Sequence, residues 1–176
     1  MFNIRILAAS AAAILAVAAP AVAGSASPSG NIVAAASASP DFKTLVAAVK
    51  AAKLVDTLAS KGPFTLFAPT NEAFAKLDPA TLQNLLKPEN REQLTKILTY
   101  HVVAGRFDAA AIVQLIQAGN GQAMLTTVEG SKLTAKLQGE NVVLIDESNR
   151  TSVVTKTDLM QSNGIIHVID TVVLPS

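Results

Sequence analysis

The hydrophobic period of this chain changes once, at Gly121, from helical spacing to strict alternation, and few folds accommodate that switch. Upstream, Phe42, Leu45, Val46 and Val49 stand at i, i+3, i+4 and i+7, one stripe of an amphipathic helix with Asp41 as its N-cap. The phase fails at Lys53 and Asp56, so Leu54, Val55 and Leu58 belong to a second short helix that Gly62-Pro63 ends. Phe64–Ala68 is a compact strand stopped by Pro69. Thr70 caps a helix carrying Phe74 and Leu77, and Asp78-Pro79 opens another carrying Leu82, Leu85 and Leu86. Pro88 breaks the chain again before a helix bearing Leu94, Ile97 and Leu98. Tyr100–Val103 reads as a strand, and Asp108 caps a last helix that ends at Gly119-Asn120-Gly121.

Beyond Gly121, Leu133, Ala135 and Leu137 alternate with Lys132, Thr134 and Lys136, a half-exposed strand. Gly139-Glu140 suits a two-residue hairpin turn with Gly first, leading into a buried strand at Val142–Ile145. Thr151–Thr155 reads as a further strand and Ile165–Leu174 as the longest. Helices first and an antiparallel sheet second indicate an α+β domain rather than a βαβ repeat.

Ile6–Ala19 is an uncharged apolar run behind Arg5 and before Ala21-Val22-Ala23. That order of charge, apolar run and small residues reads as a signal peptide over residues 1–23, with a run too short to span a bilayer comfortably. Residues 24–40 carry Ser and Ala without charge until Asp41 and read as a flexible linker, which leaves 41–176 as the folded domain. The expected location is therefore secreted or periplasmic, in the cell envelope or outside it, with no membrane span after signal removal. Loss of Arg5 with the leader leaves 14 − 1 = 13 basic against 13 acidic residues. A neutral domain with one Tyr and no Trp has neither the field nor the stacking surfaces of a nucleic-acid binder. Zero Cys excludes disulfides, a thiol nucleophile and Cys-ligated metal.

A search for reactive constellations finds no Gly-x-Ser-x-Gly elbow and no Ser-x-x-Lys pair. His101 and His167 are the only imidazoles, and neither has a carboxylate at metal-ligand spacing. His167 shares a strand face with Ile165 and Ile169, so both histidines read as structural. No catalytic residue, metal site or cofactor is expected.

Three segments carry a resemblance. Thr65-Leu66-Phe67-Ala68-Pro69-Thr70-Asn71-Glu72-Ala73-Phe74 resembles the first signature of the fasciclin domain family. Asn163-Gly164-Ile165-Ile166-His167-Val168-Ile169-Asp170 resembles the second, and Leu98-Thr99-Tyr100-His101-Val102-Val103 the Tyr-His segment between them. The resemblance implies a wedge-shaped antiparallel β-sandwich of about seven strands with several helices packed around it. Thr65, Phe67, Pro69, Thr70, Asn71, Phe74, Asn163, Gly164 and His167 would be the folding devices of the two signatures.

The resemblance also implies a non-enzymatic adhesion or surface-interaction module, with protein or polysaccharide partners or self-association. An envelope binding protein for a small molecule or polysaccharide is the alternative. Lys156-Thr157-Asp158-Leu159-Met160 occupies the place of a Glu-Pro-Asp-Ile-Met segment linked to integrin-dependent adhesion in human members, with Lys replacing Glu and Thr replacing Pro. Asp158 and Leu159 are thus candidate adhesion residues, as are Tyr100 and His101 on a broader surface. The competing expectation is that Asp158 caps a short turn over Leu159–Ser162 while Leu159 packs inward.

Overall fold

The computed structural model of the chain describes residues 30–176, so the signal peptide expected over 1–23 lies outside the described residues. Seven helices precede or interleave with seven strands: α1 (Ile32–Ala38), α2 (Lys43–Ala51), α3 (Val55–Ala59), β1 (Phe64–Pro69), α4 (Asn71–Ala75), α5 (Pro79–Leu85), α6 (Arg91–Tyr100), β2 (Val102–Ala104), α7 (Ala109–Ala118), β3 (Gln122–Thr126), β4 (Lys132–Gln138), β5 (Asn141–Ile145), β6 (Thr151–Gln161) and β7 (Gly164–Ile169). The α+β class holds.

The strands form one sheet in the order β2-β1-β7-β6-β5-β4-β3. Every neighbouring pair is antiparallel except β1 and β7, which run parallel with Leu66 opposite Ile166 and Phe67 opposite His167. The sheet is therefore mixed, where the sequence implied antiparallel pairing throughout. It curls until its ends approach: Val103 bridges Thr127, and the Val128 N–H donates to the Val102 carbonyl at 2.7 Å. The result is nearly a barrel.

Two apolar clusters fill the two sides of this sheet. Phe67, Ile112, Ile116, Leu125, Leu133, Leu144 and Ile169 pack on the inner side, with α7 contributing Ile112 and Ile116. Leu66, Ala68, Ile166 and Val168 point the other way, against Leu45, Val49, Leu58, Phe74, Leu94 and Leu98 of the helices. Both faces of β1 and β7 are thus covered, which is why these strands read as apolar runs rather than as alternating ones.

Several local expectations hold because the chemistry is local. Thr70, Asp78 and Asp108 each accept a backbone N–H one turn on or closer, from Ala73, Ala80 and Ala111. Gly139 adopts φ 65°, as the two-residue turn between β4 and β5 requires.

Other elements differ. The described part of the expected linker is not one: α1 lies within it, and Ile32 and Ala36 are buried. Ile32 and Ala36 stand at i, i+4, and Asn31 caps the helix by accepting the Ala34 N–H at 2.8 Å. Asp41 caps nothing; it sits inside a 3-10 turn, Pro40–Phe42, ahead of α2. Tyr100 ends α6 instead of opening a strand. β3 joins the sheet where no strand was expected. β6 is the longest strand, and β7 stops at Ile169: the Asp170 N–H still reaches the Val153 carbonyl at 3.1 Å, but the Thr171 N–H turns to the Ser152 hydroxyl at 3.3 Å and later amides also find side-chain acceptors. The Val173 N–H donates to His101 Nε2 at 3.3 Å and the Leu174 N–H to Asp146 Oδ2 at 3.0 Å.

Candidate functional site

Of the signature residues, Thr65 and His167 are buried in the middle of the sheet and Asn71 and Asn163 are half-buried at the ends of β1 and β7, and the polar atoms of all four are committed to hydrogen bonds. Thr65 is fully buried; its hydroxyl donates to the Gly105 carbonyl at 2.8 Å and accepts the Phe107 N–H at 2.9 Å. One side chain on β1 thereby fixes the loop that leads into α7. Asn71 reaches back rather than to its own corner, accepting the Thr44 N–H at 3.0 Å and donating to the Pro40 carbonyl at 2.9 Å. Asn163 does the same for the start of the described chain. Its Oδ1 accepts the Ile32 N–H at 2.9 Å, and its Nδ2 donates to the Leu58 and Ser60 carbonyls at 2.6 and 3.0 Å.

Asn163→Ala removes three bonds at once and leaves part-buried backbone groups of α1 and α3 without partners, a cost of about 1–3 kcal/mol. Thermal unfolding should register the loss, and amide exchange should show Ile32 opening ahead of the sheet. Unchanged exchange at Ile32 would refute that assignment.

His167 is fully buried on β7, stacked on Phe67 with ring centroids 5.6 Å apart. Nε2–H donates to the Phe107 carbonyl at 2.8 Å, and Nδ1 accepts the Asp158 N–H at 3.4 Å, which fixes the neutral tautomer. Burial lowers its pKa, against the Phe107 hydrogen bond that favours the cation. His101 is equally enclosed: Nδ1–H donates to the Ile97 carbonyl at 2.7 Å, and burial holds its pKa at about 4. The Tyr100 hydroxyl donates to the Lys132 carbonyl at 3.2 Å, and burial raises its pKa to about 12. Tyr100 and His101 therefore present no surface, and the broader adhesion surface expected around them is corrected. Both lie inside because their hydrogen-bond partners come from β4 and from the segment after β7.

Asp158 and Leu159 are on the surface. β5 pairs with β6 only over Thr151–Val153, so the rest of β6 has β7 on one side and no strand on the other. Two register shifts, between Val154 and Lys156 and between Lys156 and Leu159, bend this half outward, and Asp158 takes φ 60° within it. The expected turn with Asp158 as cap does not exist. Asp158 Oδ1 instead accepts the Ala109 N–H at 2.8 Å, a second carboxylate beside Asp108 at the positive end of α7. Leu159 does not pack inward: it is 38 % exposed and Met160 is 41 % exposed.

Arg106, which the sequence did not single out, joins them through Nη2 at 3.3 Å from Met160 Sδ. Leu159 and Met160 pair in regular register with Ile166 and Ile165, so the open strand edge exposes one apolar side chain on each face, with Arg106 beside Met160 and Lys156 further along the same strand. Among the described residues no group of three or more His, Asp or Glu is placed to hold a metal ion. No single helix among them is long and apolar enough to cross a membrane.

Comparison with known proteins places this architecture. Protein sll1483 of Synechocystis is 47 % identical over 145 residues, spanning 82 % of this chain and 73 % of the relative. Rabbit transforming growth factor-beta-induced protein ig-h3 is 33 % identical over 84 % of this chain, which matches 20 % of that longer protein. Among solved structures, a FAS1 domain pair from the insect cell adhesion molecule fasciclin I superimposes with a TM-score of 0.75 over 84 % of this chain and 51 % of that one, at 22 % identity. The model of the fasciclin domain matches residues 40–175, a span that takes in both signatures and the whole curled sheet. By that match and by its signatures, the chain belongs to the fasciclin domain family.

Proposed function

We propose that this chain is an exported, non-enzymatic interaction module of the adhesion type, which engages a protein or polysaccharide surface, or a second copy of itself, through the outer half of β6. One observation carries the reading. The polar side chains that mark the signatures are spent on backbone hydrogen bonds inside the fold, while Leu159 and Met160 stand exposed beside them. A buried neutral histidine with both ring nitrogens engaged has no reactive position to offer. An open strand edge with an exposed apolar side chain on each face and Arg106 beside it has the make-up of a contact edge. The adhesion molecule among the structural relatives supports the same class of role.

The test is attachment. Beads carrying the protein should aggregate with one another or adhere to envelope preparations, and the double variant Leu159→Ser, Met160→Ser should lose most of that adhesion. Both side chains are still more than half covered, so the double variant should lose about 1–2 kcal/mol and remain folded, and adhesion is compared at equal folded fraction. Adhesion that survives the double variant would refute this surface.

A further inference from the structure

The molecule carries a second recognition feature, which adjoins the apolar pair through Arg106. Four segments that are far apart in sequence enclose an open groove of about 580 Å³: the cap of α1, the loop from α3 to β1, Arg106, and the turn between β6 and β7. Its size falls in the range of small-molecule and oligomer sites, about 300–1,000 Å³.

The groove is held in shape from beneath. Asn163 ties α1 and the end of α3 together as described, the Phe64 N–H donates to the Asn163 carbonyl at 3.1 Å, and Ser162 bonds Gly30 through both its N–H and its hydroxyl, at 3.1 and 3.0 Å. Gly62 fits only because it lacks a side chain: a Cβ there would come within 2.1 Å of the Asn163 carbonyl oxygen. The floor therefore needs no ordering when a ligand arrives, which removes one of the main costs of binding.

The lining is chemically one-sided. Lys61 and Arg106 both face it, no Asp or Glu lines it, and neither cation has a carboxylate within salt-bridge distance among the described residues. The chain from Gly30 onward carries equal numbers of basic and acidic residues, so a groove with two cations and no anion departs from the surface as a whole. The other side chains on it are Asn31, Ser60, Ser162 and Asn163, with only Ala59 and Pro63 apolar. No aromatic or long aliphatic side chain is present. That excludes an acyl chain, a stacked ring or an apolar helix as the occupant, since each needs apolar area to bury.

We propose that this groove binds an anionic saccharide, a short run of a carboxylate-bearing polysaccharide whose acid groups meet Lys61 and Arg106 and whose hydroxyls meet Ser60 and Ser162. The proposal rests on the reading of the protein as a surface-interaction module and names a partner chemistry for it, at a groove that shares Arg106 with the Leu159 and Met160 surface.

Calorimetric titration of the whole protein at low salt with trigalacturonate, with maltotriose as a neutral trimer and with sodium sulfate as a bare anion, tests it. Trigalacturonate should bind and weaken steeply as salt rises, and maltotriose should not bind. The double variant Lys61→Gln, Arg106→Gln should lose about tenfold or more in affinity with an unchanged melting temperature, whereas Lys136→Gln should bind as the parent does. Leu159→Ser, which leaves Met160 beside Arg106, should bind trigalacturonate as the parent does, so failure of the β6 surface and failure of the groove give different results. Equal binding of maltotriose, sulfate as tight as the trimer, full affinity in the groove variant, or no trigalacturonate binding would each overturn the proposal.

Discussion

Gly164→Ala is expected to destabilise the protein by about 4 kcal/mol or more, among the largest effects a single methyl group can have. Gly164 is the first residue of β7 and is fully enclosed; a Cβ there would come within 1.9 Å of the Phe64 carbonyl oxygen and 2.8 Å of Ile32 Cδ1. The first contact is backbone on the parallel partner strand, which cannot rotate away as a side chain can. The clash therefore forces β1 and β7 apart at the point where Asn163 also holds α1. For a domain of this size, 4 kcal/mol lowers the melting temperature by on the order of 10 °C. Gly121→Ala gives the contrast: a Cβ there meets nothing within 4 Å, and only its φ of 96° is strained. A left-handed residue of that kind costs about 1–2 kcal/mol. Equal melting temperatures for the two variants would refute the close approach at Gly164.

Acid should unfold the protein through His101. Burial holds this imidazole neutral with a folded pKa of about 4 against an ordinary 6.5, opposed by the Ile97 hydrogen bond and the charge of Asp146. The folded state takes up its proton later than the unfolded state does. The stability that neutrality contributes is thus present above pH 6.5 and is lost as pH falls through about 4. A displacement of this size corresponds to about 3 kcal/mol across that window. Protonation also converts Nε2 from acceptor to donor against the Val173 N–H, so the segment after β7 loses a tie at the same moment.

His167 titrates in the same direction, with Nδ1 facing the Asp158 N–H and both Asp158 and Asp108 nearby. The carboxylates act lower on the pH scale. Hydrogen bonds from Ser176 hold Glu147 below its ordinary value. For Asp170, burial pushes the pKa up but is outweighed by bonds from Val153, Thr171 and Lys76. Denaturant unfolding between pH 7 and pH 4 should show a falling midpoint in the parent and a flatter profile in His101→Gln, which starts lower by about 1–3 kcal/mol because Ile97 and Val173 lose their partner. A parental slope in that variant would place the acid sensitivity elsewhere.

What was legible in the sequence was what the chain decides within one turn. Thr70, Asp78 and Asp108 cap their helices because the oxygen and the amide are neighbours, and Gly139 turns its hairpin for the same reason. The reach of Asn71 to Thr44 and of Asn163 to Ile32 crosses 27 and 131 residues, and no local pattern records it. The parallel pairing of β1 with β7 depends on which strand takes the edge of β1 opposite β2, a global outcome of closing the sheet.

β6 was read short because its outer half is exposed at successive residues from Thr155 to Met160 and so shows no alternation. The resemblance singled out Asp158 and Leu159 in the sequence, but the same lack of alternation left Leu159 reading as inward-packed until two register shifts turn this half of β6 outward. Tyr100 and His101 mislead in the opposite sense. Polar aromatics at a helix end suggest a surface, yet the acceptor of one and the donor to the other arrive from 32 and 72 residues away. α1 escaped notice because a run of small residues buries little area, although Ala is the best helix former.

The central proposal is a division of labour, in which the signature residues build the fold and adhesion uses the exposed half of β6. It is tested most directly by measuring bead adhesion and folded fraction together for the parent, for His167→Gln and for Leu159→Ser, Met160→Ser. The account predicts that His167→Gln loses adhesion only in proportion to its loss of folded protein, while the double variant stays folded and loses adhesion. A fully folded His167→Gln without adhesion, or a double variant that adheres as the parent does, would contradict it.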